Sequence, residues 1–192
     1  MNPATKLSFT NFADKWLQYV MPVITYNKLN TRYGTNDNGI FEGISYYNLP
    51  DDIKSEILNS IIPDEYKHHF DVKLMIINKK EVPPHVDSGS MVAINFYLKT
   101  CGETITSFYK EIESSTTKTK IDNQTDGYMI DNKNLVNNFS FVAKKDEVWI
   151  LDVKKPHSVK CELSNEIRIA FNILSFDLSY ESVLQKLCIN HS

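Results

Sequence analysis

Val82-Pro83-Pro84-His85-Val86-Asp87 is the stretch on which the reading of this chain turns. A histidine and an aspartate stand two residues apart behind a pair of prolines. In an extended segment successive side chains alternate sides, so His85 and Asp87 project to the same face. Each proline sets φ and removes a backbone donor, which stiffens the approach to His85. With a turn at Ser88-Gly89-Ser90, the next strand carries Met91, Ala93, Asn95 and Tyr97 on one face. Val92, Ile94, Phe96 and Leu98 lie on the other. That second face is continuously apolar and is expected in the core between two sheets. The first face carries an amide and a phenol, which suit an interior that binds something polar.

Far downstream, His157 sits in Lys155-Pro156-His157-Ser158-Val159, just past the apolar run Val148-Trp149-Ile150-Leu151. Arg168 follows, and Arg168-Ile169-Ala170-Phe171-Asn172 alternates so that Arg168, Ala170 and Asn172 share a face. A lone guanidinium in an apolar strand is costly unless it is paired. Its planar fork matches a carboxylate in two-point contact, and Ala170 leaves room beside it. For Arg168 taken alone, an internal pair with an Asp or Glu is the other reading. Two imidazoles and a carboxylate make the three-ligand face of non-haem Fe(II) centres, so His85, Asp87 and His157 are the candidate metal ligands.

The chain has 192 residues, 42% of them hydrophobic and 23% charged, with a net charge of -3. Those values describe one globular domain with a single core. The charge balance and the lack of interleaved basic and aromatic residues weigh against a nucleic-acid partner. Cys101, Cys161 and Cys188 form no CxxC pair and are expected as reduced thiols. No apolar run approaches the ~18 residues of a membrane span, and the N-terminus lacks a signal-peptide pattern. The expectation is a cytoplasmic protein with no membrane partner.

Along the chain, residues 1–70 read as a helical support region. Phe9, Phe12, Ala13, Trp16, Leu17 and Val20 recur at helical spacing, with Ser8 as a candidate cap and Pro22 after the end. Val23 to Leu29 is a possible short strand, and Asn30 to Gly43 is a polar loop. Leu49-Pro50-Asp51-Asp52 opens a second helix whose apolar face is Ile53, Ile57, Leu58 and Ile61, and Pro63 stops it. Residues 71–178 then read as many short strands, the mark of a sandwich or barrel: 72–77, 91–98, 104–109, 139–143, 147–152, 158–161 and 167–176. Residues 110–138 are polar and too long for a hairpin loop, so they are expected as a lid or a surface insertion. Residues 179–192 hold a short C-terminal helix with Val183, Leu184 and Leu187 inward. The adjacent His68 and His69 are expected to point apart in a solvated linker. Thr106 either reaches a bound ligand or pairs across the sheet, and Trp149 reads as core.

The set His85-Val86-Asp87, distal His157 and then Arg168 resembles the Fe(II)/2-oxoglutarate-dependent oxygenase superfamily. Ala93-Ile94-Asn95-Phe96-Tyr97-Leu98 is similar to the strand that follows His-x-Asp in prolyl-hydroxylase-like members, where a tyrosine at the place of Tyr97 touches 2-oxoglutarate. Arg168-Ile169-Ala170-Phe171-Asn172 resembles their Arg-x-Ala-x-Thr, with Asn172 where the threonine stands. Pro-Pro-His and the segment from Trp149 to His157 also resemble aspartyl/asparaginyl-hydroxylase-like proteins and small phage-encoded oxygenases. The resemblance spans roughly residues 72–176. It implies a mainly β chain, a double-stranded β-helix (jelly-roll, cupin-like) with supporting helices. It implies Fe(II) on His85, Asp87 and His157, with 2-oxoglutarate as co-substrate and O2 as oxidant. Arg168, Tyr97, Asn95, Asn172 and Thr106 would line the co-substrate site. The implied reaction hydroxylates a C–H bond of a protein side chain or small molecule and releases succinate and CO2. Retention of Asp87 favours hydroxylation over halogenation. A nucleobase substrate and a non-catalytic jelly-roll module are the alternatives.

Overall fold

The computed structural model describes residues 2–7, 12–26, 44–77, 81–87, 89–112, 118–120, 127–161 and 167–188. In chain order these form β1 (Ala4–Leu7), α1 (Ala13–Tyr26), β2 (Ile44–Asn48), α2 (Asp51–Ile61), β3 (Phe70–Ile77) and β4 (Glu81–Asp87). Then come β5 (Val92–Lys99), β6 (Thr104–Glu111), β7 (Lys118–Lys120), β8 (Gly127–Ile130) and β9 (Leu135–Ala143). The chain continues through β10 (Val148–Leu151), β11 (His157–Cys161), β12 (Arg168–Ser175) and α3 (Tyr180–Cys188). The strands build two six-stranded sheets, ordered β1-β10-β5-β12-β3-β2 and β7-β8-β4-β11-β6-β9. Every pairing is antiparallel. This is the expected mainly β, jelly-roll architecture, in which the chain alternates between the sheets from β3 to β6 and again from β9 to β12.

Period-two alternation divides the first sheet cleanly. Val92, Ile94, Phe96 and Leu98 on β5, Val72, Leu74 and Ile76 on β3, and Ile169, Phe171 and Ile173 on β12 join one core cluster. Its other members include Ala13, Trp16 and Val20 of α1, Ile53, Ile57 and Ile61 of α2, and Val183 and Leu187 of α3. The apolar face of β5 therefore packs against the helices, not against the second sheet as expected. Helices can cover only an apolar face, so the mixed face is the one turned inward. There Ala93, Tyr97, Ala170, Met75 and Ile77 meet Phe108, Phe141 and Ala143 of the second sheet.

Several expectations shift. Helix α1 begins at Ala13 and runs through Pro22 to Tyr26, so 23–26 are helical rather than strand. A proline inside a helix removes one backbone bond, and here the helix continues past it. Ser8, Phe9 and the polar loop at 30–43 lie outside the described residues. Strands β1 and β2 lacked a visible signal because each is short and lies at a sheet edge. Residues 113–117 and 121–126 lie outside the described residues, and the described part of 110–138 is mostly strand, with a 3-10 turn at Asn132–Asn134. There β6 extends to Glu111, β9 starts at Leu135, and β8 pairs with β4. Polar residues hid these strands because much of β9 is solvent-facing. Cys101 and Cys161 form a disulfide with Cα atoms 6.3 Å apart, against the expectation of free thiols. Strand pairing sets Cys161 opposite Thr104, three residues past Cys101, which brings the two sulfurs together. Among the described residues, no helix is long and apolar enough to cross a membrane.

The first turn of α1 is capped from a distance. The Asp146 carboxylate accepts from the Phe12 and Ala13 amides at 3.0 and 2.7 Å. Asp146 stands in the turn between β9 and β10 with φ 66°, a left-handed conformation that aspartate tolerates better than most residues. An anion at a helix N-terminus also complements the dipole. Asp146→Ala should lose about 2 kcal/mol in urea unfolding, from the lost cap and the αL penalty together. Asp146→Asn keeps the acceptor and the turn and should lose less than about 1 kcal/mol. Equal losses for the two would show that the contact to α1 is not the cause.

Candidate metal centre

The metal-ligand candidates are gathered by one strand pair. β4 and β11 run antiparallel, and His85 and His157 are direct cross-strand partners. Side chains opposite each other on one face lie close enough to act together. The two rings are 4.2 Å apart, centroid to centroid. Each donates its Nδ1 hydrogen to a carbonyl two residues back, His85 to Pro83 at 2.8 Å and His157 to Lys155 at 2.9 Å. That sets the tautomer and leaves Nε2 as the lone-pair nitrogen on both. The prolines before each histidine thus stiffen the carbonyls that orient it.

Burial keeps both rings neutral. His85 is held down to about 4, by burial first and by the neighbouring His157 second, against the pull of Asp87. Burial likewise holds His157 down to about 4. A neutral imidazole is the form that ligates a metal.

Asp87 closes the set from the end of β4. Its Oδ1 lies 3.7 Å from His85 Nε2, and its Oδ2 accepts from the Ser90 hydroxyl at 3.1 Å. One donor atom from each of His85, Asp87 and His157 falls within 4.8 Å of the others, and no other such group occurs among the described residues. Sequence reasoning missed the parts that hold this geometry. The 152–156 corner crosses between the sheets and is tied down on both sides. The Asp87 amide donates to the Val153 carbonyl at 3.0 Å, Lys154 Nζ to the Asp87 carbonyl at 3.1 Å, and the Tyr109 amide to the Pro156 carbonyl at 2.8 Å. Ser90 looked like a plain turn residue, and nothing local marks these backbone contacts.

The facing strands supply the rest of the expected site. Tyr97 and Asn95 on β5 and Ala170 and Asn172 on β12 are cross-strand partners, and Arg168 opens β12. All point inward. Arg168 is 1% exposed, yet its Nε and Nη1 have no hydrogen-bond partner. Its guanidinium lies over the Tyr97 ring at 4.4 Å, a cation–π contact. Among the described residues no carboxylate pairs with it, so the internal ion pair weighed from sequence is not formed there. Thr106 on β6 is also buried with an unpartnered hydroxyl, and so is the Asn172 Oδ1 atom. Such orphans are rare in folded proteins, and all of those found among the described residues except Trp16 Nε1, which lies under the helices, fall in this interior. Phe108 of β6 sits opposite His157, its ring 5.6 Å away, and was not anticipated. Trp149 is part-buried and stacks on Phe141 at 3.8 Å, in keeping with a core role. His68 and His69 lie in a 3-10 turn with rings 3.9 Å apart rather than pointing apart, and His69 pairs with Asp177.

The donor set fits a divalent iron. It offers two neutral imidazole nitrogens with their second nitrogens committed to carbonyls, and one carboxylate oriented by a hydroxyl. No protein-family profile matches the sequence, and no curated protein matches it. Solved structures do resemble the fold. The epimerase SnoN, in complex with Fe3+, alpha ketoglutarate and a nogalamycin, aligns at TM-score 0.60 and 9% identity over 91% of this chain and 79% of its own. A prolyl hydroxylase bound to a hypoxia inducible factor peptide fragment, from Trichoplax adhaerens, aligns at 0.57 and 14% identity, over 92% and 84%. A prolyl-4-hydroxylase from Pseudomonas putida aligns at 0.54 and 11% identity, over 92% and 94%. The chain therefore shares the double-stranded β-helix fold of the iron- and 2-oxoglutarate-dependent oxygenases.

Proposed function

We propose that residues 1–192 are a single oxygenase domain, an Fe(II)- and 2-oxoglutarate-dependent dioxygenase. It hydroxylates a C–H bond of a protein side chain or small molecule and releases succinate and CO2. The observation that carries this reading is the buried, unpaired Arg168 guanidinium in the same interior as the His85, Asp87 and His157 cluster. A charge left unpaired at that depth is unfavourable until an anion arrives. A three-ligand metal face next to a waiting cation fits a chelating oxo-acid with a distant carboxylate.

The roles follow from the chemistry of the side chains. His85, Asp87 and His157 hold the iron, which together with 2-oxoglutarate and O2 supplies the oxidising power. Arg168 takes the far carboxylate of 2-oxoglutarate in two-point contact, and the Thr106 and Tyr97 hydroxyls offer further donors. Asn95 and Asn172 complete the polar wall beside them. The apolar residues of both sheets around these groups exclude water and strengthen each contact.

Anaerobic addition of Fe(II) and 2-oxoglutarate should produce a visible charge-transfer band, and admitting O2 should yield succinate. His85→Ala and His157→Ala should abolish both signals. A wild-type protein with neither signal would end the oxygenase reading. Arg168→Ala should weaken 2-oxoglutarate binding about 100-fold while iron still binds, from loss of a buried charge-assisted contact. Loss of iron binding instead would assign Arg168 a folding role. Metal loading should also report the buried histidines. Protonation removes the ligand lone pair, so affinity falls as pH falls. With both imidazoles held down to about 4, Mn(II) affinity should stay level from about pH 8 to about pH 5.5 and drop below that. A drop beginning near pH 6.5 would mean that the imidazoles behave as exposed ones.

A further inference from the structure

Three interior side chains form one hydrogen-bonded row. Asn172 Nδ2 donates to Asn95 Oδ1 at 2.7 Å, and Asn95 Nδ2 donates to the Tyr97 hydroxyl at 3.4 Å. Asn95 and Asn172 are direct partners across β5 and β12, and Tyr97 stands opposite Ala170. All three are buried, Tyr97 completely. At its Tyr97 end the row meets Arg168, whose guanidinium covers the ring.

The row has a direction. An Asn amide has a donor end and an acceptor end, and a Tyr hydroxyl has one hydrogen. In the observed direction the Tyr97 oxygen accepts, so the row does not use its hydrogen, which remains to be given beside Arg168. The unmatched atom is then Asn172 Oδ1, which is buried and has no hydrogen-bond partner. In the reverse direction both amides rotate, the Tyr97 hydrogen goes to Asn95, and an N–H at Asn172 becomes the unmatched group. Each direction makes two hydrogen bonds, so the row alone barely distinguishes them. An anion beside Arg168 does, because a carboxylate accepts hydrogen bonds and cannot donate them. It favours the direction that frees the Tyr97 hydrogen.

We infer that Asn172 is a positioning residue that acts through Asn95 to turn the Tyr97 hydroxyl hydrogen toward the carboxylate held by Arg168. Asn172 itself makes no contact with that carboxylate. The inference rests on the interior being the 2-oxoglutarate site. It also explains the orphaned Asn172 oxygen, which is the tail of a row whose useful end is elsewhere.

The test is 2-oxoglutarate binding to the Mn(II)-loaded protein without oxygen, followed by calorimetry. Valine and threonine have the same shape, but only threonine keeps a hydroxyl to donate to Asn95. Asn172→Val should weaken binding about tenfold, on the scale of one hydrogen bond to a charged group. Asn172→Thr should stay within about threefold of wild type, and Mn(II) affinity should be the same in all three. In a Tyr97→Phe background no hydroxyl remains to turn, so Asn172→Val should then change affinity by less than about twofold. An undiminished loss in that background would mean direct contact and would overturn the inference. Asn172→Thr binding as weakly as Asn172→Val would overturn it too. If Asn172→Val fails to fold by circular dichroism, Asn95→Leu breaks the same row at its middle and carries the same expectations. A wild-type protein that loads Mn(II) but takes up no 2-oxoglutarate would overturn the co-substrate reading and the relay together. Binding with additive losses would overturn the relay alone.

Discussion

The antiparallel pairing of β4 with β11 is the constraint on which the site depends. It joins residues 72 positions apart in sequence, His85 and His157, as direct neighbours on one face. Long-range strand pairing carries a loop-closure cost that local helices avoid. The structure offsets it with contacts at both ends of the corner before His157. The Asp87 amide binds the Val153 carbonyl, and the Tyr109 amide binds the Pro156 carbonyl. A slip of one residue in this register would turn one histidine to the opposite face of the sheet and dissolve the ligand set. The same pairing aims the lone pairs, because the carbonyls that fix each ring sit on the two strands themselves.

The second constraint is the division of the first sheet into an outer apolar face and an inner mixed face. Three helices cover the outer face, and Trp16 and Ile57 are its largest fully buried helix contributions. That arrangement frees the interior between the sheets for polar groups. An interior that held only Val, Ile and Phe would pack more tightly and bind nothing charged. Here Arg168, Thr106 and Asn172 keep buried atoms without partners. Each such atom lowers stability, and their convergence in one place is how a binding site differs from an ordinary core.

Much of the site was legible because its chemistry is written in side-chain identity and parity. His85 and Asp87 share a parity, as do Asn95 with Tyr97 and Arg168 with Asn172, and each pair does share a face. The direction of the apolar face of β5 was not legible. Parity says that two faces differ, and only the packed helices decide which one turns outward. Strands β7 and β8 escaped notice because segments of three and four residues are too short to show a period of two. The start of α1 depends on Asp146, which lies 133 positions away from Ala13 and has no local signature.

The sequence by itself determined the candidate ligands, the lone cation and the mainly β character, because alternation and residue chemistry are local properties. The tertiary structure decided that His85 meets His157, that Arg168 finds no internal carboxylate among the described residues, and that Asn172 donates to Asn95 in a row ending at Tyr97. Those facts depend on register between distant strands and on the direction of hydrogen bonds. Neither is specified until the two sheets close on each other.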